Sequence, residues 1–300
     1  KIFSRRLFLR AATHAAQDDG TIGAADLSMR NLLRAKPMPI LNLSAETDIY
    51  YELIDGDPAK PCLVFLHEGL GCCAMWKDFP AQLCQATGCR GLLYDRQGYG
   101  QSSPLAARRQ LHYLHDYALC ELPQVLAALL PGQDHFLIGH SDGGSIALIY
   151  AAQQPPRLRG IITEAAHVFV ENVTLDGIRT ADAAFGEGKL RALAKYHGDK
   201  TASIFKAWSD TWLSYGFQFW NIEYLLPSVE CPALVLQGSE DQYGSAAQVD
   251  TIVAQALNAM PAMVEQCGHT PHQEQPQALL ALMEGFLQGR MDAAAHPKTI

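Results

Sequence analysis

The stretch Ile138-Gly139-His140-Ser141-Asp142-Gly143-Gly144 decides the fold of this chain. It follows an apolar run that begins at His135 and precedes a helical pattern of small and apolar residues. A serine on a sharp strand-to-helix turn adopts strained backbone angles, and the turn closes only if the residues two before and two after it lack bulk. Gly139 and Gly143 meet that requirement. The pattern therefore predicts a nucleophile elbow that presents the hydroxyl of Ser141.

A serine hydroxyl is a poor nucleophile until a base removes its proton, so a histidine and an orienting carboxylate are needed elsewhere in the chain. Asp241 follows the apolar run Ala233 to Gln237, and His269 follows the next run behind Gly268. Glu164 ends an earlier apolar run and is the alternative acid. Asp241 is favoured because Gly238-Ser239-Glu240-Asp241 supplies the turn that would carry it.

Short apolar runs and longer helical patterns alternate on both sides of this stretch from about residue 46. The predicted strands are Cys62 to Leu66, Gly91 to Tyr94, His135 to Ile138, Leu158 to Thr163, Ala233 to Gln237 and Ala262 to Glu265. The predicted helices are Met75 to Ala86, Tyr113 to Leu130, Gly144 to Gln153, Ala246 to Leu257 and Pro276 to Leu287. Near-continuous apolar strands in turn with helices are typical of a parallel sheet covered on both faces. The sequence therefore predicts an α/β fold.

Residues 167 to 229 interrupt this alternation, because 63 residues are too many for one crossover helix. The segment is rich in aromatic residues: Trp208, Trp212, Tyr215, Phe217, Phe219, Trp220 and Tyr224. We interpret it as a helical cap over the carboxyl edge of the sheet, where open α/β sheets bind ligands. Most of the aromatics are expected to form the core of the cap. One or two are expected to line a substrate pocket, with Trp208, Trp212 and Trp220 as the candidates.

The resulting domain organisation has five parts. They are an N-terminal extension (1 to 40), the first part of the core (41 to 166), the helical cap (167 to 229), the second part of the core (230 to 290) and a tail (291 to 300). The extension contains Ser4-Arg5-Arg6-Leu7-Phe8-Leu9-Arg10, which is similar to a twin-arginine export motif, but polar residues follow where such a signal needs an apolar segment. We therefore interpret it as a short amphipathic extension.

Five motifs, in order, make residues 45 to 290 resemble the cofactor-independent α/β hydrolases, and the bacterial carboxylesterases among them. They are His67-Glu68-Gly69-Leu70-Gly71, Tyr94-Asp95-Arg96-Gln97-Gly98-Tyr99-Gly100, the elbow, Gly238 to Asp241, and Gly268-His269-Thr270-Pro271-His272. The order Ser141, Asp241, His269 is that of this family. The resemblance implies a mostly parallel central sheet flanked by helices, with a helical cap and without a cofactor or a metal.

The resemblance also implies roles for individual residues. Ser141 would be the nucleophile, His269 the base and Asp241 the carboxylate that orients and stabilises it. An oxyanion hole would use the backbone N–H of Asp142 and a second N–H from the loop after the Cys62 to Leu66 strand. Because Glu68 departs from the common His-Gly start of that loop, the second donor is either Gly69 or Leu70.

Composition excludes several classes of function. A net charge of −8 and a pI near 5.7 argue against binding to nucleic acid or to an anionic membrane. Apolar runs as long as a spanning helix are absent from the sequence. The eight cysteines form no C-x-x-C pair, so reduced thiols in a cytoplasmic protein are expected. The expected partner is a small-molecule substrate, and the sequence specifies no oligomeric state.

These residues predict acyl transfer to Ser141, followed by hydrolysis of the acyl-enzyme by water. The serine also excludes haloalkane dehalogenase and epoxide hydrolase chemistry of this fold, which needs an aspartate at the elbow. We expect a carboxylic ester hydrolase for a small or medium, partly apolar substrate. Hydrolysis of a carbon-carbon bond in a ring-cleavage diketone is the alternative reaction. A small-molecule receptor of the same fold is the alternative from another class.

Overall fold

The computed structural model describes residues 39–295 of the 300-residue chain. Apart from Pro39 and Ile40, the predicted N-terminal extension lies outside the described residues, and so does its motif Ser4 to Arg10. The last five residues of the predicted tail also lie outside them.

The centre of the fold is an eight-stranded sheet with the order β1-β2-β4-β3-β5-β6-β7-β8. Its strands are β1 (Ile40–Ser44), β2 (Thr47–Ile54), β3 (Cys62–Leu66), β4 (Gly91–Tyr94), β5 (His135–His140), β6 (Leu158–Glu164), β7 (Ala233–Gly238) and β8 (Ala259–Val264). The pairs β1–β2 and β2–β4 are antiparallel, and all the other neighbours are parallel. Every residue of β3, β4 and β5 is buried, as expected for strands covered on both faces. The predicted mostly parallel sheet is confirmed.

Helices cover both faces of the sheet and form the cap. They are α1 (Phe79–Thr87), α2 (Tyr113–Asp116), α3 (Leu122–Leu129), α4 (Asp142–Ala151), α5 (Asn172–Gly186), α6 (Ala194–His197), α7 (Thr201–Trp212), α8 (Ala246–Gln255), α9 (Pro271–Glu274) and α10 (Pro276–Ala295). The cap helices α5, α6 and α7 lie between β6 and β7, with short 3-10 turns at Arg191–Leu193, Gly198–Lys200, Phe217–Phe219 and Glu223–Ser228.

Three predicted helices differ from the observed ones. The helix predicted over Tyr113 to Leu130 is divided into α2 and α3 by a short π-helical segment at Tyr117–Glu121. The helix predicted from Met75 begins at Phe79, because Lys77 has a positive φ of 54°. The third, α10, does not end at Leu287 but continues to Ala295, five residues into the predicted tail. Its polar end contains Gln, Arg, Met and Ala, which have high helix propensity. The prediction ended the helix too early because it relied on the spacing of apolar residues, which stops before this end.

Two apolar clusters pack on the sheet. One contains Ile146, Leu148 and the cap residues Phe205 and Trp212, and the other contains Phe79, Leu279 and Met283. All eight cysteines lie in the described part of the chain and are free thiols. Within residues 39–295, no helix combines the length and apolarity that crossing a bilayer requires.

Candidate active site

Ser141 lies between β5 and α4 with a φ of 52° and a ψ of −115°, a strained conformation for a residue with a side chain. Its N–H donates to the carbonyl of Glu164 at 2.8 Å, which fixes the turn to β6. A Cβ atom on Gly139 would lie 2.2 Å from the carbonyl oxygen of Gly143, and one on Gly143 would lie 2.0 Å from that of Leu66. Both positions therefore need glycine, as the sequence pattern indicated.

Ser141, His269 and Asp241 form a continuous hydrogen-bonded chain. The Oγ of Ser141 lies 3.1 Å from Nε2 of His269, and Nδ1 of His269 lies 2.9 Å from each carboxylate oxygen of Asp241. Since a carboxylate only accepts, Nδ1 carries the hydrogen and Nε2 is free to accept one. The side chain of Asp241 is 1% exposed and that of His269 is 13% exposed. The arrangement can thus take the proton of the Ser141 hydroxyl.

Asp241 is held by the turn that follows β7. Its Oδ1 accepts the N–H of Tyr243 at 2.8 Å. Burial by itself raises the pKa of this carboxyl, but hydrogen bonds from His269 and Tyr243 and the charge of His269 leave the pKa below its ordinary value. Asp241 is therefore ionised at neutral pH.

The loops that carry Asp241 and His269 touch through their backbones. A Cβ atom on Gly238 would lie 2.1 Å from the carbonyl oxygen of Gly268, so only glycine allows this approach. The N–H of Glu240 also donates to the carbonyl of Cys267 at 2.8 Å. The neighbouring strands β7 and β8 thus fix the separation of the acid and the base.

Glu164, the alternative acid, contacts a different histidine. Its Oε2 lies 2.9 Å from Nδ1 of His272, and both side chains are almost fully buried. His140 lies between the two histidines and contacts the carbonyl of His269 through Nε2 at 2.7 Å. The structure therefore brings Asp241, and not Glu164, to His269.

Two backbone N–H groups next to Ser141 donate to no other residue in the described part of the chain, those of Gly69 and Asp142. The N–H of Asp142 is the first of helix α4, where the helix dipole favours negative charge. By contrast, the N–H of Leu70 donates to Oε2 of Glu68 at 2.9 Å. Of the two alternatives for the second donor, the geometry favours Gly69.

The β3 loop, residues 67–71, is supported from below by Arg96. The Nη2 of Arg96 donates to the carbonyl of Glu68 at 2.9 Å, and the Nη1 of Arg96 donates to the carbonyl of His67 at 2.5 Å. The backbone N–H of Arg96 in turn donates to Nε2 of His67 at 3.2 Å. His67 thus supports the loop and does not contact Ser141.

His197 joins the cap to the same loop and was not identified from the sequence. Its Nε2 donates to the carbonyl of Leu70 at 2.8 Å, and its Nδ1 accepts the N–H of Gly100 at 2.9 Å. The ring is 2% exposed, and burial lowers its pKa. One neutral imidazole thus satisfies two backbone groups of the core.

A cavity of about 1030 Å³ opens above Ser141 and His269 between the sheet edge and the cap. Trp208 and Trp212 line it, together with apolar residues of α5 such as Ile178 and Ala181. Trp220 does not line it, which corrects the sequence-based assignment. Its ring stacks on Phe217 and lies 6.0 Å from that of Trp212, behind the cavity wall. Periodicity identifies an aromatic as buried, but not whether it faces the cavity or the cap core.

The lining residues that were not assigned to the site from the sequence include His167 and Glu68. His167, after β6, has its ring 6.0 Å from that of His269, and burial and the nearby His269 lower its pKa. Glu68 contributes a carboxyl group whose pKa is raised by burial. The departure of Glu68 from the usual loop pattern was the available signal. For His167 the sequence offered no motif.

Known proteins resemble this chain in sequence over much of its length. The model of the alpha/beta hydrolase family matches residues 63–282. A protein of Enterobacter sp. (strain 638), named 2-succinyl-6-hydroxy-2,4-cyclohexadiene-1-carboxylate synthase, is 30% identical over 157 residues, which are 51% of this chain and 54% of that protein. The chain spans about half the length of the curated relatives it matches.

Solved structures show the same fold. A carboxylesterase structure from Nitrososphaera gargenis has a TM-score of 0.67 at 22% identity, covering 85% of this chain and 99% of that one. The enol-lactonase from Burkholderia xenovorans LB400 has a TM-score of 0.63 at 19% identity, covering 83% of this chain and 100% of that one. Since the family model covers most of the chain and the five sequence motifs lie where the fold requires them, the chain belongs to the α/β hydrolase family.

Proposed function

We propose that this protein is a serine hydrolase that cleaves a small or medium carboxylic ester through an acyl-enzyme on Ser141. One observation carries the proposal: the Oγ of Ser141 is 3.1 Å from Nε2 of His269, whose other nitrogen is held 2.9 Å from Asp241. Such a chain of contacts activates a hydroxyl for attack on a carbonyl carbon.

In the first half of the reaction, Nε2 of His269 takes the proton from Ser141 as Oγ attacks the ester carbonyl. The carbonyl oxygen becomes negatively charged in the tetrahedral intermediate and accepts hydrogen bonds from the N–H groups of Gly69 and Asp142. Asp241 stabilises the imidazolium that forms. Collapse of the intermediate breaks the ester bond, and His269 gives its proton to the departing alcohol.

In the second half, water replaces the alcohol. His269 takes a proton from this water, and the resulting hydroxide attacks the acyl carbon on Ser141. The same two N–H groups stabilise the second intermediate. His269 then returns the proton to Oγ, which releases the carboxylic acid and restores the enzyme.

The cavity supports a partly apolar substrate of modest size. Its wall is formed largely by aliphatic and aromatic side chains, among them Ile178, Leu190 and Trp208. Its volume of about 1030 Å³ is at the upper end of the usual range for small-molecule sites.

Covalent labelling and an ester panel test the proposal. Incubation with a fluorophosphonate is expected to add one adduct mass to the wild-type protein and none to the Ser141→Ala variant. p-Nitrophenyl esters of graded acyl length are expected to turn over with the wild type only. An adduct that persists in Ser141→Ala would place the nucleophile elsewhere.

The same panel separates the alternatives. Turnover of a vinylogous diketone, without turnover of esters, would favour the carbon-carbon hydrolase that uses the same triad. Very slow turnover of every compound, together with a ligand-dependent rise in the melting temperature, would favour a receptor.

A further inference from the structure

The charged side chains on the wall of the cavity are all acidic in the part of the chain that the structure describes. The lining residues include Glu68, Asp142 and Asp176, and they include no lysine or arginine. Asp176 is paired with Arg179 at 2.7 Å, and both of these side chains are more than half exposed. Glu68 lies in the β3 loop, and Asp142 directly follows Ser141 at the start of α4.

Two arginines near the cavity point away from it. Arg96 is fully buried beneath the β3 loop, where it donates to the backbone carbonyls of His67 and Glu68. The guanidinium carbon of Arg109 lies 4.6 Å from the ring centre of Tyr113. The hydroxyl of Tyr113 in turn donates to Oδ2 of Asp142 at 2.8 Å. Neither of these arginines is among the residues that line the cavity.

Glu68 is the carboxyl group most closely built into the reacting end of the cavity. Its Oε2 accepts the N–H of Leu70 at 2.9 Å, and its Oε1 would lie 3.1 Å from a Cβ atom on Gly71. The side chain thus lies along the β3 loop, next to the Gly69 N–H. Both Glu68 and His269 line the cavity.

We propose that the cavity accepts uncharged or cationic substrates and rejects substrates that carry a carboxylate, with Glu68 as the residue that enforces the rejection. A ligand carboxylate would be buried beside acidic side chains with no lysine or arginine in the lining to pair with it, which is strongly unfavourable. This inference rests on the proposed function, because it assigns the cavity to the substrate of the acyl transfer. It also separates this chain from its curated relatives, since the compound in their name is itself a carboxylate.

Three methyl esters of matched shape test the inference: methyl butyrate, monomethyl succinate and methyl 3-aminopropanoate. All three release methanol, and they differ in a terminal methyl, carboxylate or ammonium group. At neutral pH, kcat/KM for monomethyl succinate is expected to be at least about tenfold below that for methyl butyrate. Methyl 3-aminopropanoate is not expected to share this loss. Equal losses for both charged esters would mean that the apolar wall alone discriminates, and would overturn the role of Glu68.

Glu68→Gln tests the residue itself, because glutamine keeps an oxygen that can accept the Leu70 N–H while it removes the charge. The gap between the uncharged and the anionic ester is expected to narrow to about threefold or less, as expected when a like-charge contact is removed. Glu284→Gln, an exposed position on α10, makes the same charge change away from the cavity and should leave the gap unchanged. An unchanged gap in Glu68→Gln would contradict the inference.

Binding of the three esters to the Ser141→Ala protein, detected by saturation-transfer NMR, separates this inference from the proposed function. If the wild type turns over none of the esters but the variant binds methyl butyrate and not monomethyl succinate, the ester hydrolase fails and the charge selection stands. If monomethyl succinate binds as well as methyl butyrate, or none of the three binds, the charge selection is overturned.

Discussion

Two carboxylates at the carboxyl end of the sheet each contact a histidine. Asp241 contacts His269, which reaches Ser141, while Glu164 contacts His272, whose side chain is 3% exposed and is enclosed by Trp76 and Phe79. The sequence places both acids after strands of the same edge, so both remained candidates. Only the three-dimensional positions of the loops distinguish them.

The difference predicts unequal kinetic effects. Asp241→Asn removes the charge that stabilises the imidazolium in the transition state, so kcat is expected to fall by about 10²-fold to 10⁴-fold with little change in KM. Glu164→Gln is expected to have a much smaller effect on kcat. Steady-state kinetics on the best ester of the panel, with circular dichroism as a check on folding, measures both. The reverse ranking would return the role of the acid to Glu164.

The cap helix α7 carries the residues that should determine acyl-chain preference. Trp208 and Trp212 face the cavity, and a Cβ atom on Gly69 would lie 2.6 Å from the indole nitrogen of Trp208. The helix therefore closes directly over the reacting end of the site. Trp220, which packs behind the wall, is a matched control of the same residue type.

Trp208→Ala is expected to raise kcat/KM for esters with longer acyl chains relative to esters with shorter ones. The reason is that the substitution enlarges an apolar pocket in which one methylene contributes about 1 to 3 kcal/mol. Trp220→Ala is expected to lower the free energy of unfolding by about 3 to 5 kcal/mol and to leave the chain-length profile unchanged. A graded ester series and urea denaturation measure the two effects. A shifted profile in Trp220→Ala alone would contradict the placement of these side chains.

The elements that the sequence predicted well are those with local signals. Strands β3 to β7 and the elbow follow from apolar runs and from the glycines at 139 and 143. The π-helical segment at Tyr117–Glu121 has no such signal, because the helical periodicity of the sequence continues through these residues. Neither does the direction of Trp220, since it depends on how Phe217 and Trp212 pack in the finished cap. Likewise, the sequence identified Glu68 as unusual, but only the fold shows that this residue lines the cavity.

At the scale of the whole molecule, five buried histidines of the described residues oppose acidification. Each is 2% or 3% exposed, and burial lowers the pKa of each: His67, His135, His140, His167 and His197. As the pH falls below about 6.5, the unfolded chain takes up protons at these sites and the folded chain does not. Folding stability is therefore expected to decrease from pH 7 to pH 5. Glu121 and Glu68 act in the opposite direction, because burial raises the pKa of both carboxyl groups, that of Glu121 to about 7, and the folded state then binds the extra protons.

The five histidines outweigh the two carboxyl groups, so the free energy of unfolding is expected to fall by about 2 to 5 kcal/mol between pH 7 and pH 5. Urea denaturation at the two pH values measures this change. The Glu121→Gln variant, which lacks one of the opposing groups, should show a steeper fall. A wild-type stability that rises toward pH 5 would contradict the assignment of these histidines as neutral in the folded state.

The contact of His197 with both Leu70 and Gly100 limits how caps can be exchanged between members of this family. A designer who replaces residues 167–229 with the cap of another hydrolase would keep every residue of the triad. The foreign cap would still leave the carbonyl of Leu70 and the N–H of Gly100 without a partner unless it brought an equivalent imidazole. Each unpaired buried group costs about 1 to 3 kcal/mol, and Leu70 adjoins the Gly69 N–H. The cap and the β3 loop therefore depend on each other structurally. In a chimera, both should come from the same parent protein.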